Sequence, residues 1–175
     1  MTKLLVTADI HGSISAWKQL KKHLKPGDSL AVAGDLFDTR YGDRMSGDFR
    51  PDIIKKEFLD LSREQILVHY VYGNCDLEDY LKGFSLQTLF EFDGFSFLLN
   101  HGHLPLPDIS DVHVIIEGHS HTPRLDTLFG KVFLNPGSPS LPRNSLPGFA
   151  LVQNGSIQLI ELTKGKVLDE LTIKN

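Results

Sequence analysis

Seven residues of metal-binding or water-activating type stand directly behind short apolar runs: Asp9 and His11, Asp35, Asn74, His101, and His119 with His121. In α/β proteins, ligands gather at the carboxyl ends of strands, where loops converge. Glycines flank these residues (Gly12, Gly34, Gly73, Gly102 and Gly118), and glycine permits tight turns and close backbone approach. A single Asp-x-His or Gly-Asp is common by chance, and a lone histidine is more often packed than liganding. An ordered series of strand ends, each releasing a carboxylate, imidazole or amide, reads instead as a metal site assembled from distant parts of the chain.

The elements that position these residues follow from hydrophobic patterning. Lys3–Ala8, Ser29–Ala33, Ile66–Tyr72 and Val112–Glu117 are short apolar runs of strand character. Ser13 or Ser15 caps a helix carrying Ala16, Trp17, Leu20 and Leu24, and Pro26-Gly27-Asp28 stops it. Pro51 opens a second helix with Ile54, Phe58 and Leu61 on one face. Between them, residues 38–50 lack periodicity, and a loop of that length is often functional. Thr88–Phe92 and Phe95–Leu99 flank Asp93-Gly94, Arg124–Leu128 and Lys131–Leu134 flank Phe129-Gly130, and Gly148–Gln153 and Ser156–Leu162 flank Asn154-Gly155. These read as three hairpins. The first half alternates strand and helix, which implies parallel pairing, and the second is mostly hairpins. The expected class is α/β with an α+β-like, four-layer character: two packed mixed sheets flanked by helices.

The 175 residues suit one domain, expected over 1–175, and a chain of this size buries enough surface to hold a core. Lys and Arg number 18 against 22 Asp and Glu, for a net charge of −4, without the basic excess of a general nucleic-acid binder. One cysteine excludes an intramolecular disulfide. Leu4-Leu5-Val6 is too short for a signal sequence, and no stretch approaches the roughly 20 apolar residues of a membrane span. The expectation is a soluble cytoplasmic protein.

Five blocks resemble the calcineurin-like metallophosphoesterase superfamily: Asp9-Ile10-His11, Gly34-Asp35, Gly73-Asn74-Cys75-Asp76, His101-Gly102-His103 and Gly118-His119-Ser120-His121. The family pattern is D-x-H, GD, GN-[HC]-[DE], a single H, and GH-x-H. The small size, Cys75 and Asn135-Pro136-Gly137-Ser138 are similar to the YfcE-type bacterial and archaeal phosphodiesterases. The resemblance implies a metallophosphoesterase fold and two divalent ions. Asp9, His11 and His121 would hold the first, Asn74, His101 and His119 the second, and Asp35 would bridge them. Asp35, Asn74 and His101 form the expected catalytic set.

The implied reaction is phosphodiester hydrolysis by a metal-bridging hydroxide. Two divalent ions about 3.5–4 Å apart bind substrate oxygens and generate hydroxide near neutral pH. Mixed N and O donors suit Mn²⁺ first, with Fe, Zn, Ni and Co as alternatives. Two such ions, two carboxylates and one hydroxide sum to about +1, which attracts a phosphate despite the acidic chain.

Cys75 stands where the commoner family pattern has a leaving-group-protonating histidine, and a thiol with a pKa of about 8.5 is a poorer acid for that task. The enzyme is expected to prefer good leaving groups, with Cys75 lining the substrate site; a small buried spacer is the competing reading. His103 is expected at the substrate or behind a ligand. Arg40 and Arg44 are candidates to meet a substrate phosphate. His23, His69 and His113 follow no motif and are read as structural, and Asp76 either polarises the site or serves the turn.

The expected partner is a small phosphodiester, with no nucleic-acid scaffold and no membrane. The resemblance adds a homodimer or homotetramer. Two other functions share this site: a phosphomonoesterase or nucleotidase, and a non-catalytic interaction scaffold like the retromer small subunit. That subunit has substitutions among the metal-site histidines, whereas every ligand position here is filled.

Overall fold

A computed structural model describes residues 2–43 and 47–174. Eleven strands are assigned among the described residues and form two sheets. The first has six strands in the order β11-β10-β9-β1-β2-β3: β1 Leu4–Thr7, β2 Ser29–Ala33, β3 Leu67–Val71, β9 Gly148–Gln153, β10 Ser156–Glu161 and β11 Val167–Thr172. The second has five in the order β4-β5-β6-β8-β7: β4 Gln87–Phe92, β5 Phe95–Asn100, β6 Val114–Ile116, β7 Arg124–Leu128 and β8 Lys131–Asn135.

Both sheets are mixed. Strands β1, β2 and β3 run parallel, and so do β5, β6 and β8, while the three hairpins add antiparallel neighbours. β1 is buried along its whole length, as expected of a central parallel strand covered on both faces.

The two sheets face one another across a core of Leu4, Val6, Val71, Phe97, Leu99, Val114 and Ile116, among others. A second core lies on the other face of the first sheet. There α1 (Ile14–Lys21) and α2 (Pro51–Asp60) bury Trp17, Leu20, Ile54 and Phe58 against Leu5, Leu30 and Val32. Ser13 caps α1, its hydroxyl accepting the Ala16 amide at 3.2 Å, which satisfies a donor otherwise unpaired at a helix start. Pro51 sits in the first turn of α2, where its missing N–H costs nothing. The outer face of the second sheet holds a smaller cluster of Leu98, Val112 and Ile115, covered by Ile109 and Phe133.

This is the expected pair of mixed sheets, with few helices. The patterning found ten of the strands; β11 carried no expectation. Its Leu168 and Leu171 reach the inter-sheet core, whereas Asp169 and Glu170 are exposed. The C-terminal hairpin also crosses back to pair with β1 at the centre of the first sheet, so the parallel half and the hairpin half of the sequence share one sheet. Among the described residues, no helix is long and apolar enough to cross a membrane.

Candidate metal centre

The parallel strands deliver their carboxyl ends to one edge of the sandwich. Asp9 follows β1, Asp35 follows β2, Asn74 follows β3, His101 follows β5, and His119 and His121 follow β6. Side-chain atoms of these residues converge. Asp9 Oδ1 lies 3.8 Å from His11 Nε2 and 3.4 Å from His121 Nε2. Asp35 Oδ2 lies 3.3 Å from His101 Nε2 and 4.0 Å from His11 Nε2, which puts it between the two histidines. Asn74 Oδ1 is 3.1 Å from His101 Nε2. The His119 ring is 5.1 Å from the His101 ring, and the His119 amide donates to Asp9 Oδ2 at 2.9 Å.

The backbone here is held in an unfavourable region. Asp9, His11, Asp35, His119 and His121 all have φ between 50° and 65°. A non-glycine residue there costs on the order of 1 kcal/mol or more, and persists only where its surroundings over-determine it. Hydrogen bonds supply that constraint. The amides of Asp9 and His11 donate to the carbonyls of Gly34 and Asp35 at 3.0 and 2.9 Å. The Ser138 hydroxyl donates to the Asp9 carbonyl at 2.7 Å, and the Asn135 amide group to the Gly118 carbonyl at 2.7 Å. The Asn135–Ser138 segment thus braces the loops that carry Asp9 and His119.

Two glycines permit the close approach of these loops. A Cβ on Gly118 would stand 2.6 Å from the Ala33 carbonyl oxygen and 2.9 Å from Asp9 Oδ2. One on Gly73 would collide with the Asp35 carboxylate.

Three observations make this a place for cations. First, Asp9 Oδ1 is buried and has no hydrogen-bond partner, a costly state for a carboxylate oxygen. Second, the ring nitrogens are sorted. Nδ1 of His11 faces Asp38 Oδ2 at 3.1 Å, Nδ1 of His101 faces the Ala33 carbonyl at 2.7 Å, and Nδ1 of His121 faces the Leu141 carbonyl at 2.7 Å. Such partners fix Nδ1 as the donor and leave Nε2 as a lone pair, the arrangement metal-binding histidines adopt. Third, the Nε2 atoms turn toward one another and toward carboxylates. Asp9, His11 and His121 offer three donors within 4.8 Å of each other, and so do Asp9, Asp35 and His101. The residues therefore fit divalent ions with mixed nitrogen and oxygen donors.

Electrostatics follow the same geometry. Burial alone would lower the pKa of His101, but hydrogen bonding to the Asp35 carboxylate and its charge outweigh burial and raise it to about 9. Burial pushes Asp35 up, yet His101 and the Cys75 groups that hydrogen-bond to it hold its carboxyl well below the usual range. His121 is raised in the same way: Asp9 prevails over burial. A cation would replace these protons.

The remaining expected site residues lie around this centre. His103 packs its ring 5.2 Å from that of His101, and burial lowers its pKa. Arg40 is exposed and shares a groove with His103 and Asn74. Arg44 lies outside the described residues. Cys75 is buried: its amide donates to Asp35 Oδ1 at 2.8 Å, its carbonyl accepts the Arg40 amide at 3.0 Å, and Sγ lies with His11 and Asp38. Asp76 serves the turn, its buried carboxylate accepting from the amides of Leu36, Phe37 and Gly73 and from the Tyr70 hydroxyl. His69 stacks on Phe90 and His113 bonds Ser96, away from the centre. The sequence reading missed Asp38, the carboxylate behind His11; its place three residues after Asp35 was the available signal.

A family model described as the calcineurin-like phosphoesterase superfamily domain matches residues 2–156. The chain belongs to the calcineurin-like phosphoesterase superfamily. Within this superfamily it is 31% identical to a probable metallophosphoesterase of Mycoplasma pneumoniae, over 93% of this chain and 96% of that protein. It is 27% identical to the phosphodiesterase YfcE of Escherichia coli, over 99% of both chains. The solved structure of E. coli YfcE, a phosphoesterase, superposes with a TM-score of 0.79, covering 98% of this chain and all of that one. Wild-type Vps29 of Entamoeba histolytica, solved in complex with zinc, shares the superfamily fold at a TM-score of 0.63 and 21% identity, covering 98% and 99%. The expected family and fold are thus both found.

Proposed function

We propose that this phosphoesterase is a dinuclear, divalent-metal-dependent phosphodiesterase. The carrying observation is the arrangement of lone pairs. His11, His121 and His101 each spend Nδ1 on an oxygen acceptor and turn Nε2 toward Asp9 or Asp35. In this reading Asp9, His11 and His121 would hold one ion and Asn74, His101 and His119 the other, and Asp35 would help to hold both. When bound, divalent ions supply Lewis acidity to a phosphoryl oxygen and lower the pKa of water toward neutrality. Mn²⁺ is the first choice for this donor set.

The chain's own groups do the rest. Arg40 reaches an anionic substrate oxygen from the loop. His103, its pKa lowered, stays neutral at physiological pH and offers a hydrogen bond beside His101. The buried Cys75 thiol faces His11 and Asp38, which leaves departure of the alcohol without a thiol acid and favours good leaving groups.

Likeness to YfcE supports the diester preference. The Vps29 fold keeps a scaffold as the second reading, and since zinc is found on that protein too, metal binding alone does not separate the two. Turnover does. Bis(p-nitrophenyl) phosphate should be hydrolysed with Mn²⁺, the rate should vanish with chelator, and Asp35→Asn should abolish it. No Mn²⁺-stimulated turnover defeats the enzyme reading, and a faster rate on p-nitrophenyl phosphate makes it a monoesterase.

A further inference from the structure

Two grooves border the metal centre, one lined by Asn74 and His103 and the other by His119. The His103 and His119 rings stand 6.3 Å apart, and the His101 ring lies 5.2 and 5.1 Å from them. The larger groove, about 720 Å³, begins at Asn74 and His103 and continues along Arg40, Tyr41, Leu77 and Leu86. The smaller, about 370 Å³, begins at His119 and continues along Glu117, Ser120, Thr122 and Arg124.

Their chemistry differs. In the larger groove, Tyr41, Leu77 and Leu86 leave apolar surface open to solvent, at 60%, 42% and 41% exposure. Arg40 is the cation of this lining, and Glu78 and Asp79 add carboxylates beyond it. Apolar side chains beside a centre that offers one cation and hydrogen-bond acceptors suit a flat ring system with N–H donors, carried on a phosphate. The smaller groove has hydroxyls, a guanidinium and a half-buried carboxylate, so it offers both donors and acceptors in little space. That suits a small polar substituent.

A phosphodiester has two ester arms, and a monoester has one. We infer that the two grooves sort the arms of an asymmetric phosphodiester, the larger taking an aromatic or nucleoside-like arm and the smaller taking a compact polar one. The inference rests on the metal centre acting on phosphate esters, and adds to it which substituents are preferred and where they lie.

Groove-filling variants test this. Leu86→Trp fills the larger groove and Thr122→Trp the smaller. The readout is the ratio of affinities of thymidine 5′-(methyl phosphate) and dimethyl phosphate, each measured as a competitive inhibitor of bis(p-nitrophenyl) phosphate turnover with Mn²⁺. The two inhibitors share a methyl arm and differ only in the other, and neither carries a second aromatic group. Leu86→Trp should lower this ratio by roughly tenfold, a typical value for one lost apolar subsite. Thr122→Trp should lower both affinities by a common factor and leave the ratio unchanged. Equal shifts in the two variants, or no shift in either, overturn the sorting.

A binding measurement keeps the inference independent of turnover. The Mn²⁺-loaded wild type should bind thymidine 5′-monophosphate about tenfold more tightly than inorganic phosphate, and Leu86→Trp should erase the difference. If turnover is absent but this difference holds, the phosphodiesterase reading fails and the groove assignment stands. Equal affinities in the wild type overturn the groove assignment itself.

Discussion

His11 Nε2 and His121 Nε2 lie 3.2 Å apart, although the Nδ1 of each ring already faces an oxygen acceptor. In two neutral rings with Nδ1 protonated, this contact sets lone pair against lone pair. A proton or a cation between them removes the repulsion, and the buried Asp9 Oδ1 completes the set of acceptors. Divalent metal should therefore stabilise the fold. A ligand at a hundred times its Kd contributes about 2.7 kcal/mol by mass action. Mn²⁺ should raise the melting temperature in a thermal shift assay, chelator should reverse the rise, and the double variant His11→Ala, His121→Ala should show a much smaller one. An equal rise in the double variant would place the ions elsewhere.

Asp38 acts on the centre through His11. Its Oδ2 stands 3.1 Å from His11 Nδ1, in a fully buried pair. Carboxylates placed behind metal-binding histidines fix the tautomer, and losing one typically costs about 10–100-fold in metal affinity. Asp38→Asn should weaken Mn²⁺ binding by a factor in that range in isothermal calorimetry. The fold should persist by circular dichroism, because the amide keeps an oxygen to accept from Nδ1.

The Asp35–His101 pair gives metal uptake a pH dependence of known sign. In the metal-free protein His101 titrates at about 9, raised from an ordinary value near 6.5. Its contribution to stability is fully present below pH 6.5 or so and is lost as pH rises through about 9. The metal-bound protein does not carry that proton, so binding must release it. Apparent Mn²⁺ affinity should rise between about pH 6.5 and 9, with proton release visible as a dependence of binding heat on buffer ionisation enthalpy. Metal-free stability should fall across the same interval. Asp35→Asn removes the partner that raises His101, and should move the proton release to lower pH.

Gly118 tests how tightly the loops must approach. The Cβ of an alanine there would sit 2.6 Å from the Ala33 carbonyl, 2.8 Å from Ala8 Cβ and 2.9 Å from Asp9 Oδ2. The Ala33 carbonyl and Ala8 Cβ move only with the backbone, and Asp9 Oδ2 is buried and accepts the His119 amide, so the backbone itself must shift. Overpacking of this kind costs roughly 1–3 kcal/mol. Gly118→Ala should lower the denaturation midpoint accordingly. It should also weaken metal binding, since the displaced loops carry Asp9 and His119.

The cluster was legible because its residues lie directly behind apolar runs, and the strand period places each run. Asp9, His11, Asp35, Asn74, His101, His119 and His121 come together from positions up to 112 residues apart, because parallel strands point their carboxyl ends the same way. What supports them was harder to read. The Leu141 and Ala33 carbonyls that fix His121 and His101 are backbone groups, with no side-chain signal. Strand β11 alternates only weakly, with Asp169 and Glu170 side by side at its middle. Its place is decided by pairing with β10, a tertiary fact absent from the local pattern.

Asp76 shows the same limit at a single residue, and yields the clearest stability prediction. The sequence allowed it either a polarising or a turn role. Its carboxylate is buried and accepts four donors: the amides of Leu36, Phe37 and Gly73, and the Tyr70 hydroxyl at 2.7 Å. These tie the loop after β2 to the loop after β3, and so hold Asp35 beside Asn74. Burial and the nearby Asp35 charge raise its pKa despite the four donors. Asp76→Ala strands all four donors in the interior at about 1–3 kcal/mol each, not fully additive, so a loss of roughly 3–5 kcal/mol is expected. Tyr70→Phe removes one donor together with its hydroxyl and leaves the carboxylate three others, so it should cost only about 1 kcal/mol. Urea denaturation of both variants checks the ordering. Equal small losses would mean that other contacts hold the two loops together.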